Sequence, residues 1–287
     1  MVGRRIKWLA SYPKSGNTWV RCFLRAYQLD AYEPIDLSLV GRISKSDSRY
    51  ADYAKLQPDA SAALTDRRVN ELREQVTNGI AEQLGDFQVV KTHNARVAVD
   101  GIPLIRNEMT DRAVYVVRNP LDVVDSLADH TGSTVDEAIR SMNDQFFSFG
   151  GADRKFVRQY LTTWSNHVRS WTQGVPFPVL IVKYEDLIDN PQHHFALLLH
   201  FLGWPVVPER LERAIKFSSF NVLSTTENTN GFRELSEASS SQTFFRRGQA
   251  GAWADLLSSS QVASLRADHG SVMEQLGYLN LPVATHP

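Results

Sequence analysis

The apolar residues of the chain fall into two patterns. Four short runs are rich in β-branched or aromatic residues and end at polar residues, which is typical of buried strands. These runs are Ile6–Ser11, Phe87–His93, Ala113–Val117 and Pro178–Tyr184. The segments between them carry apolar residues at helical spacing, so strands alternate with helices along the chain. This order predicts the α/β class, with a central, mainly parallel sheet flanked by helices.

Helices are predicted wherever apolar residues recur every three or four positions. One is expected from Asn17 or Thr18, as N-cap, to about Leu29, one begins near Leu121, and others span Asp66–Gln83, Phe156–Gln173, Gln192–Leu202, Glu209–Phe217 and Ser258–Leu276. Loops or short helices are expected over Tyr32–Asp66 and Gly101–Met109, mixed structure over His130–Gly151, and loops over Asn221–Gln242 and Phe244–Trp253. No repeat or linker divides the chain, so one domain is expected over residues 1–287.

Charged or aromatic residues follow each of the four predicted strands. Lys14 comes after the first strand, Lys91 and His93 end the second, Arg118 follows the third, and Tyr184 ends the fourth. Ligands of parallel sheets bind beyond the carboxyl ends of the strands. We therefore expect these side chains to converge on one site.

The first strand leads into a loop of unusual composition, Tyr12–Trp19, with the sequence Tyr-Pro-Lys-Ser-Gly-Asn-Thr-Trp. A strand, a tight loop and a helix start aim backbone N–H groups and the helix dipole at an anion. Lys14 adds a positive charge, Gly16 allows close approach of the backbone, and Thr18 offers a hydroxyl. The loop is not the usual nucleoside-triphosphate loop, because its Lys precedes its Gly. The alternative is an ordinary strand-to-helix turn, in which Pro and Gly serve geometry alone.

The composition is that of an ordinary globular protein, with 43% hydrophobic and 22% charged residues. The net charge of −1 gives no global basic field, so a nucleic-acid partner is not expected. The single Cys22 excludes an internal disulfide, and its apolar helical surroundings predict a buried thiol. No stretch approaches the roughly 20 apolar residues of a membrane span. Only a short apolar run follows the basic start Met1–Arg5, so we expect no signal peptide and a cytoplasmic location.

Four segments, taken together, resemble motifs of one enzyme family in the family's own order. Tyr12–Trp19 is similar to its 5′-phosphosulfate loop, and Tyr115–Asp122, followed by Ser126, is similar to its 3′-phosphate motif. Lys91–His93 is similar to the strand end that carries its catalytic base, and Phe245–Gly251 to its late basic loop. The chain thus resembles the cytosolic-type sulfotransferases, as a bacterial-like member. These enzymes use 3′-phosphoadenosine 5′-phosphosulfate (PAPS) and release 3′-phosphoadenosine 5′-phosphate (PAP).

The resemblance implies a P-loop-like phosphosulfate-binding loop and a set of nucleotide-binding residues. These are Lys14, Ser15, Gly16, Asn17, Thr18, Trp19, Arg118, Ser126, Tyr184, Ser218, Phe220, Arg246, Arg247 and Gly248. Backbone N–H groups suit the 5′-phosphosulfate, and bidentate arginines suit the 3′-phosphate dianion. Trp19 and Phe220 are implied as the walls of the adenine site, with Tyr184 nearby and Ser218 or Ser219 at its edge.

The resemblance also implies three catalytic residues. His93 is the general base that takes the proton of an acceptor hydroxyl, a task suited to an imidazole that is neutral near pH 7. Lys14 stabilises charge on the leaving oxygen, and Lys91 stabilises charge on the transferring group or the bridging oxygen. The sulfuryl group carries less charge than a phosphoryl group, and no metal is expected.

The chain departs from the family pattern at several positions. Asn17 stands where Thr is usual, Asn94 and Ala95 follow the His where Leu-Pro is frequent, and Arg247 replaces Lys. The C-terminal dimer signature of many animal members is not evident, so both a monomer and a homodimer remain open. The identity of the acceptor also remains open.

The leading hypothesis is a sulfotransferase that moves a sulfuryl group from PAPS to a small-molecule phenol or alcohol, such as a natural product. Tyr32–Asp66 and His130–Gly151 are expected to shape its acceptor site. A nucleotide-dependent small-molecule kinase is one alternative, but it requires a Gly-Lys-Ser/Thr loop, which the sequence lacks. A non-catalytic nucleotide-binding protein of the same fold is another, yet Lys14 and His93 are both present.

Overall fold

A computed structural model describes residues 5–57, 63–151 and 154–279. Residues 1–4, which carry most of the basic start considered for a signal peptide, lie outside the described ranges. So do residues 58–62 of the segment expected to help shape the acceptor site. One domain over residues 1–287 stays a prediction. Among the described helices, none combines the length and apolar character that a membrane span requires.

The strands of the described chain include all four that the sequence predicts. They are β1 (Ile6–Ser11), β2 (Ser44–Ser46), β3 (Val89–Thr92), β4 (Ala98–Val99), β5 (Ile102–Pro103), β6 (Thr110–Val117), β7 (Ser148–Phe149), β8 (Gln159–Tyr160) and β9 (Val179–Lys183). Five of them form one parallel sheet in the order β2-β3-β1-β6-β9. The α/β class and the parallel sheet are therefore confirmed.

The helices cover both faces of this sheet. They are α1 (Asn17–Leu29), α2 (Tyr50–Ala54), α3 (Asp66–Glu82), α4 (Pro120–Thr131), α5 (Val135–Asn143), α6 (Trp164–Thr172), α7 (Tyr184–Asp189), α8 (Pro191–Phe201), α9 (Pro208–Phe217), α10 (Phe220–Asn230), α11 (Trp253–Leu256) and α12 (Ser259–Gln275). Short 3₁₀ turns lie at Leu37–Arg42 and Asn107–Met109.

The central strands are buried on both faces, as parallel strands with crossover helices must be. Along β1, Trp8 faces one apolar cluster and Leu9 faces the other. The first cluster holds Trp164 and Trp171, and in the second Phe23 stacks on Phe195 of α8 with ring centroids 3.8 Å apart. This two-sided core holds the carboxyl ends of the strands rigidly at one edge.

The strand order reverses at β1. The chain passes from β1 to β2 and β3 on one side and then crosses β1 to reach β6 on the other. Ala10 pairs with Thr92 and Ser11 pairs with Val116, so the loop after β1 and the residues after β3 leave the same edge. Such a reversal opens a crevice at the strand ends, where α/β proteins bind their ligands.

Three predictions about secondary structure are wrong. Asn221–Gln242 is not all loop, because α10 covers its first half and buries Leu223 against the core. Phe156–Gln173 is helical only from Trp164, where the Thr163 hydroxyl accepts a hydrogen bond from Asn166 N and begins α6. The N-cap of α1 is Gly16, not Asn17 or Thr18.

Candidate active site

A cavity of about 710 Å³ opens at the edge where β1, β3, β6 and β9 end. It is lined by every residue that the sequence places in the site except Ser15 and Ser218. The lining members are Lys14, Gly16, Asn17, Thr18, Trp19, Lys91, His93, Arg118, Ser126, Tyr184, Phe220, Arg246, Arg247 and Gly248. Segments more than 200 residues apart in sequence therefore meet at one place.

The loop after β1 has the geometry of an anion cradle. Gly16 has φ 101°, and a Cβ atom there would lie 2.6 Å from Cδ2 of Tyr184. Lys14 is also left-handed, with φ 66°. Ser15 is fully buried, and its hydroxyl has no hydrogen-bond partner among the described residues. Two left-handed residues just before a helix N-terminus fit a loop that binds an anion through its backbone N–H groups.

The Asn17 side chain is part of the frame of the loop. Its Nδ2 donates to Leu9 O at 3.1 Å and to Ser11 Oγ at 3.3 Å. Its Oδ1 accepts from Arg21 Nε at 3.1 Å. The amide therefore ties α1 to the end of β1, which leaves the backbone N–H of Asn17 as its means of contacting a phosphate. This accounts for Asn at a position where the family usually has Thr.

Glu234 reaches the other side of the same loop. The Thr18 hydroxyl donates to Glu234 Oε2 at 3.0 Å, and Arg21 donates to both oxygens at 2.7 and 2.5 Å. Burial alone would raise the pKa of Glu234, but the charges of Arg21 and Lys91 hold it well below its usual range. In this state the Thr18 hydroxyl is engaged by a carboxylate.

The two lysines of the site lie under aromatic rings. Lys14 Nζ is 4.2 Å from the ring centroid of Phe244, and Lys91 Nζ is 5.8 Å from that of Phe156. Burial is the main cause that lowers the pKa of Lys14 to about 8 and the pKa of Lys91 to about 8. Both amines are therefore poised to lose their charge just above neutral pH.

His93 is held in one tautomer. Its Nδ1 lies 2.8 Å from Ser11 O, and because a carbonyl oxygen only accepts, Nδ1 carries the hydrogen. Nε2 is then the nitrogen with the lone pair. Burial, followed by the charge of Lys91, holds the pKa of His93 well below its usual value. The ring is consequently neutral at physiological pH, as a base must be.

Three arginines also line the cavity, and Arg118 lies close to the loop after β1, since its Nη1 is 3.5 Å from Lys14 O. Arg246 pairs with Asp125 and approaches Asp129 at 3.7 Å, and Arg247 pairs with Asp125 at 2.6 Å. Arg118 donates to Gln249 O at 2.9 Å, and its Nε is buried with no hydrogen-bond partner among the described residues. The positive charge expected here is present, but two carboxylates of α4 neutralise part of it.

Aromatic side chains form the wall between the loop after β1 and the arginines. Trp19 meets Tyr184 edge to face, with centroids 5.3 Å apart, and the Arg118 guanidinium lies 4.4 Å from the centroid of the Tyr184 ring. Phe220 packs on Gly248 so closely that a Cβ atom on Gly248 would lie 2.0 Å from the ring. Trp19, Tyr184 and Phe220 all line the cavity, and their place beside an adenine ring stays a prediction.

Ser218 departs from its predicted place at the edge of the adenine site. Its side chain is fully buried, and its hydroxyl donates to Ala214 O at 2.7 Å within α9. Its carbonyl oxygen accepts from Trp19 Nε1 at 2.8 Å. Ser218 therefore orients the Trp19 ring rather than lining the cavity.

Only one of the two segments expected to shape the acceptor site lines the cavity. His130, Thr131, Phe149 and Gly150 line the cavity, whereas no described residue of Tyr32–Asp66 does. The latter segment instead supplies β2, the edge strand of the sheet.

Sequence reasoning missed several side chains that line the cavity, among them Glu234, Asp125 and Phe244. Asp125 comes directly before Ser126, a predicted site residue, and so lies within the segment that resembles the 3′-phosphate motif. Glu234 lies in a polar segment with no pattern of its own, so the sequence carried no signal for it. Within the described ranges, no group of three or more His, Cys, Asp or Glu residues is arranged to hold a metal ion.

A family model described as sulfotransferase domain matches residues 6–277. The chain belongs to the sulfotransferase family. This confirms the resemblance based on the four motifs and identifies the chain as a sulfotransferase.

The individual sulfotransferases that the chain resembles are distant from it in sequence. The chain is 25% identical over 280 residues to mouse sulfotransferase 1 family member D1 (Mus musculus), covering 93% of this chain and 82% of the relative. It is 25% identical over 258 residues to flavonol 3-sulfotransferase of Flaveria bidentis, covering 85% and 74%. A crystal structure of a mouse sulfotransferase complexed with PAP superposes with a TM-score of 0.60 at 18% identity, covering 96% of this chain and 85% of that one. At this identity the superposition supports the fold alone.

Proposed function

We propose that this sulfotransferase moves a sulfuryl group from PAPS to the hydroxyl of a small-molecule phenol or alcohol, with His93 as general base. The observation that carries the proposal is the meeting of His93, Lys14 and Lys91 in one cavity. That cavity is lined by the anion cradle and by Arg118, Arg246 and Arg247.

The residues of the site fit a nucleotide with phosphates at both ends. The backbone N–H groups of the loop after β1 suit the 5′-phosphosulfate. The unpaired Arg118 Nε, with Arg246 and Arg247, suits a 3′-phosphate dianion, and the Gly248 N–H lies on the same loop. Gly16 and Gly248 allow the rings of Tyr184 and Phe220 to lie where a Cβ atom would clash.

To bind a 3′-phosphate, Arg246 and Arg247 must exchange the Asp125 carboxylate for the phosphate. Arg246 and Arg247 are both engaged by Asp125, which is 18% exposed at its side chain. A phosphate dianion carries more charge and more acceptor oxygens than one carboxylate, so it competes well for two guanidinium groups. Ser126, the next residue on α4, lines the cavity beside them and can add a hydroxyl contact.

When bound, PAPS supplies an activated sulfuryl group on a phosphate leaving group. His93 receives the acceptor proton at Nε2 while Ser11 O holds the hydrogen on Nδ1. Lys14 places its charge on the leaving-group side, since it belongs to the phosphate loop. Lys91, two residues before His93, places its charge on the side of the base. Phe244 and Phe156 restrict water around both amines.

The test is transfer of label from ³⁵S-PAPS to a panel of phenols and alcohols, together with calorimetric binding of PAP. His93→Gln should lower turnover by about 10²- to 10⁴-fold while PAP binding persists, because the base is lost and the nucleotide contacts remain. His200→Gln, on the exposed surface of α8, is the matched control and should retain turnover. Absence of PAP binding by the wild type would sink the proposal.

A further inference from the structure

The strand end that carries Lys91 and His93 is held by two buried polar residues that do not line the cavity, Asp47 and Asn94. Asp47 follows β2 and is 4% exposed, and Asn94 follows His93 and is fully buried. The backbone N–H of Asp47 donates to Lys91 O at 3.3 Å. The two residues therefore lie directly behind the catalytic side chains.

The Asp47 carboxylate binds the residues on both sides of His93. Its Oδ2 accepts from Thr92 Oγ1 at 2.7 Å and from Asn94 Nδ2 at 2.9 Å. Its Oδ1 accepts from Ser48 Oγ at 2.7 Å. With its neighbours on either side fixed, the backbone of His93 has little freedom to move.

Asn94 links the same point to the other side of the cavity. Its Oδ1 accepts from Tyr160 N at 2.9 Å, and its carbonyl oxygen accepts from Trp171 Nε1 at 3.0 Å. The carbonyl oxygen of His93 itself accepts from His167 Nε2 at 3.0 Å. A Leu at position 94, frequent in the family, could make none of the side-chain bonds.

Asp47 also contributes charge. The three side chains that donate to the Asp47 carboxylate are neutral. Burying an ionised carboxylate costs free energy unless a positive charge compensates it. Burial and Arg21 lower the pKa of Lys91, while Glu234 and Asp47 raise it. His93 and His130 also lie within electrostatic reach of Lys91. Asp47 is thus one of two carboxylates that favour the protonated amine.

We propose that Asp47 and Asn94 are positioning residues that hold His93 and Lys91 for sulfuryl transfer, with Asp47 as a counter-charge of Lys91. The inference rests on the proposed function, since it assigns support to that function's base and cation. Neither side chain touches substrate. Their effect passes through the hydrogen bonds to Thr92, Tyr160 and Trp171 and through the field at Lys91.

The decisive variant is Asp47→Asn, which keeps the size of the side chain and removes its charge. Turnover should fall by about tenfold to a hundredfold through misplacement of the base, while PAP affinity stays unchanged. The decline of kcat/KM for PAPS at high pH, the basic limb of its pH profile, should move to lower pH, because the protonated Lys91 amine loses a counter-charge. Asp52, on α2, forms an ion pair with Arg49. The control variant Asp52→Asn removes the same negative charge there and should change neither turnover nor the pH profile.

Two further measurements separate the outcomes. Asn94→Leu should lower kcat with little change in the KM for PAPS, and without moving the basic limb, because Asp47 remains. The titration of the Lys91 amine, followed by NMR on ligand-free protein, should shift down in Asp47→Asn whether or not an acceptor is known. A wild type without transfer activity refutes the proposed function alone. Unchanged lysine titration together with unchanged kcat in Asp47→Asn overturns the inference and leaves the function standing.

Discussion

At the scale of single residues, the state of His93 follows from one hydrogen bond and from its surroundings. Ser11 O fixes the hydrogen on Nδ1, and burial with Lys91 nearby keeps the ring neutral. The sequence places a His at a strand end, but neither its tautomer nor its protonation can be derived from residue order. Both depend on which carbonyl and which cation the fold brings within reach.

The lysines give the site its dependence on pH. Lys14 and Lys91 have pKa values lowered to about 8 by burial, so both are charged below pH 8 and lose charge above it. We expect kcat/KM for PAPS to decline as pH rises through about 8, since this parameter reports the free enzyme. An acid limb near pH 6.5 should be absent, because the pKa of His93 lies well below that value. A profile that stays flat to pH 10 contradicts the assignment of the lysines.

Gly248 is required by the close packing of the Phe220 ring. In Gly248→Ala the new Cβ atom would lie 2.0 Å from Cδ2 of that ring, so the ring must move and PAP binding should weaken by at least about tenfold. Gly203→Ala is the matched control, because Gly203, just after α8, has a similar φ of 74° and open space around it. Both variants carry the left-handed backbone cost of roughly 1–2 kcal/mol. Equal PAP affinity in the two variants would remove the role of the ring.

At the scale of elements, α4 carries an acidic stripe. Asp122, Asp125 and Asp129 follow at spacings that place them on one helical face. Asp122 accepts from the backbone N–H groups of Gly251 and Trp253 at 2.8 and 3.1 Å. Asp129 accepts from the hydroxyls of Ser239–Ser241 at 2.8 to 3.0 Å. The acidic face of α4 thus anchors the loop that carries Arg246 and Arg247, while the opposite face of this helix packs into the core.

Within this stripe, Asp125 competes with the ligand. Asp125→Asn should raise the affinity for PAP by about threefold to tenfold, since one partly buried negative charge leaves the 3′-phosphate end. Adenosine 5′-phosphate, which lacks the 3′-phosphate, should show no such gain in calorimetry. Asp136→Asn, on the exposed face of α5, removes the same charge and serves as control. An equal gain for both nucleotides would argue against a 3′-phosphate at this end.

The elements themselves were predicted to different degrees. β1, α1, α3 and β6 carry strong periodicity and agree with the sequence expectation to within three residues at each end. The strand β2 has the sequence Ser-Lys-Ser and no apolar pattern, and it forms because its backbone pairs with the edge of β3. α10 is polar along most of its length and is held by Leu223 and by Glu227, which accepts from Phe244 N and Phe245 N. In both cases tertiary contacts outweigh local propensity.

At the scale of the whole molecule, the sheet order brings two anion sites into one cavity of about 710 Å³. PAP carries a phosphate at both the 5′ and the 3′ position, whereas ATP has none at the 3′ position. At about a hundred times its Kd, PAP should stabilise the protein by about 2.7 kcal/mol, a rise in Tm of about 4–5 °C. ATP with Mg²⁺ at the same concentration should give a much smaller shift. The reverse order in differential scanning fluorimetry would favour the kinase alternative.

The sequence by itself determined the α/β class and the family, and it picked out the charged and aromatic residues at the strand ends that meet in the cavity. It could do so because strand periodicity and strand-end motifs are local, and the parallel sheet then places those strand ends at one edge. The tertiary structure alone decided how the groups are paired and charged. Asn17 braces β1, Ser218 orients Trp19, Asp125 faces the arginines, and Glu234 holds Thr18. These contacts join residues brought together only by folding, and burial sets their charges, so no local pattern in the sequence encodes them.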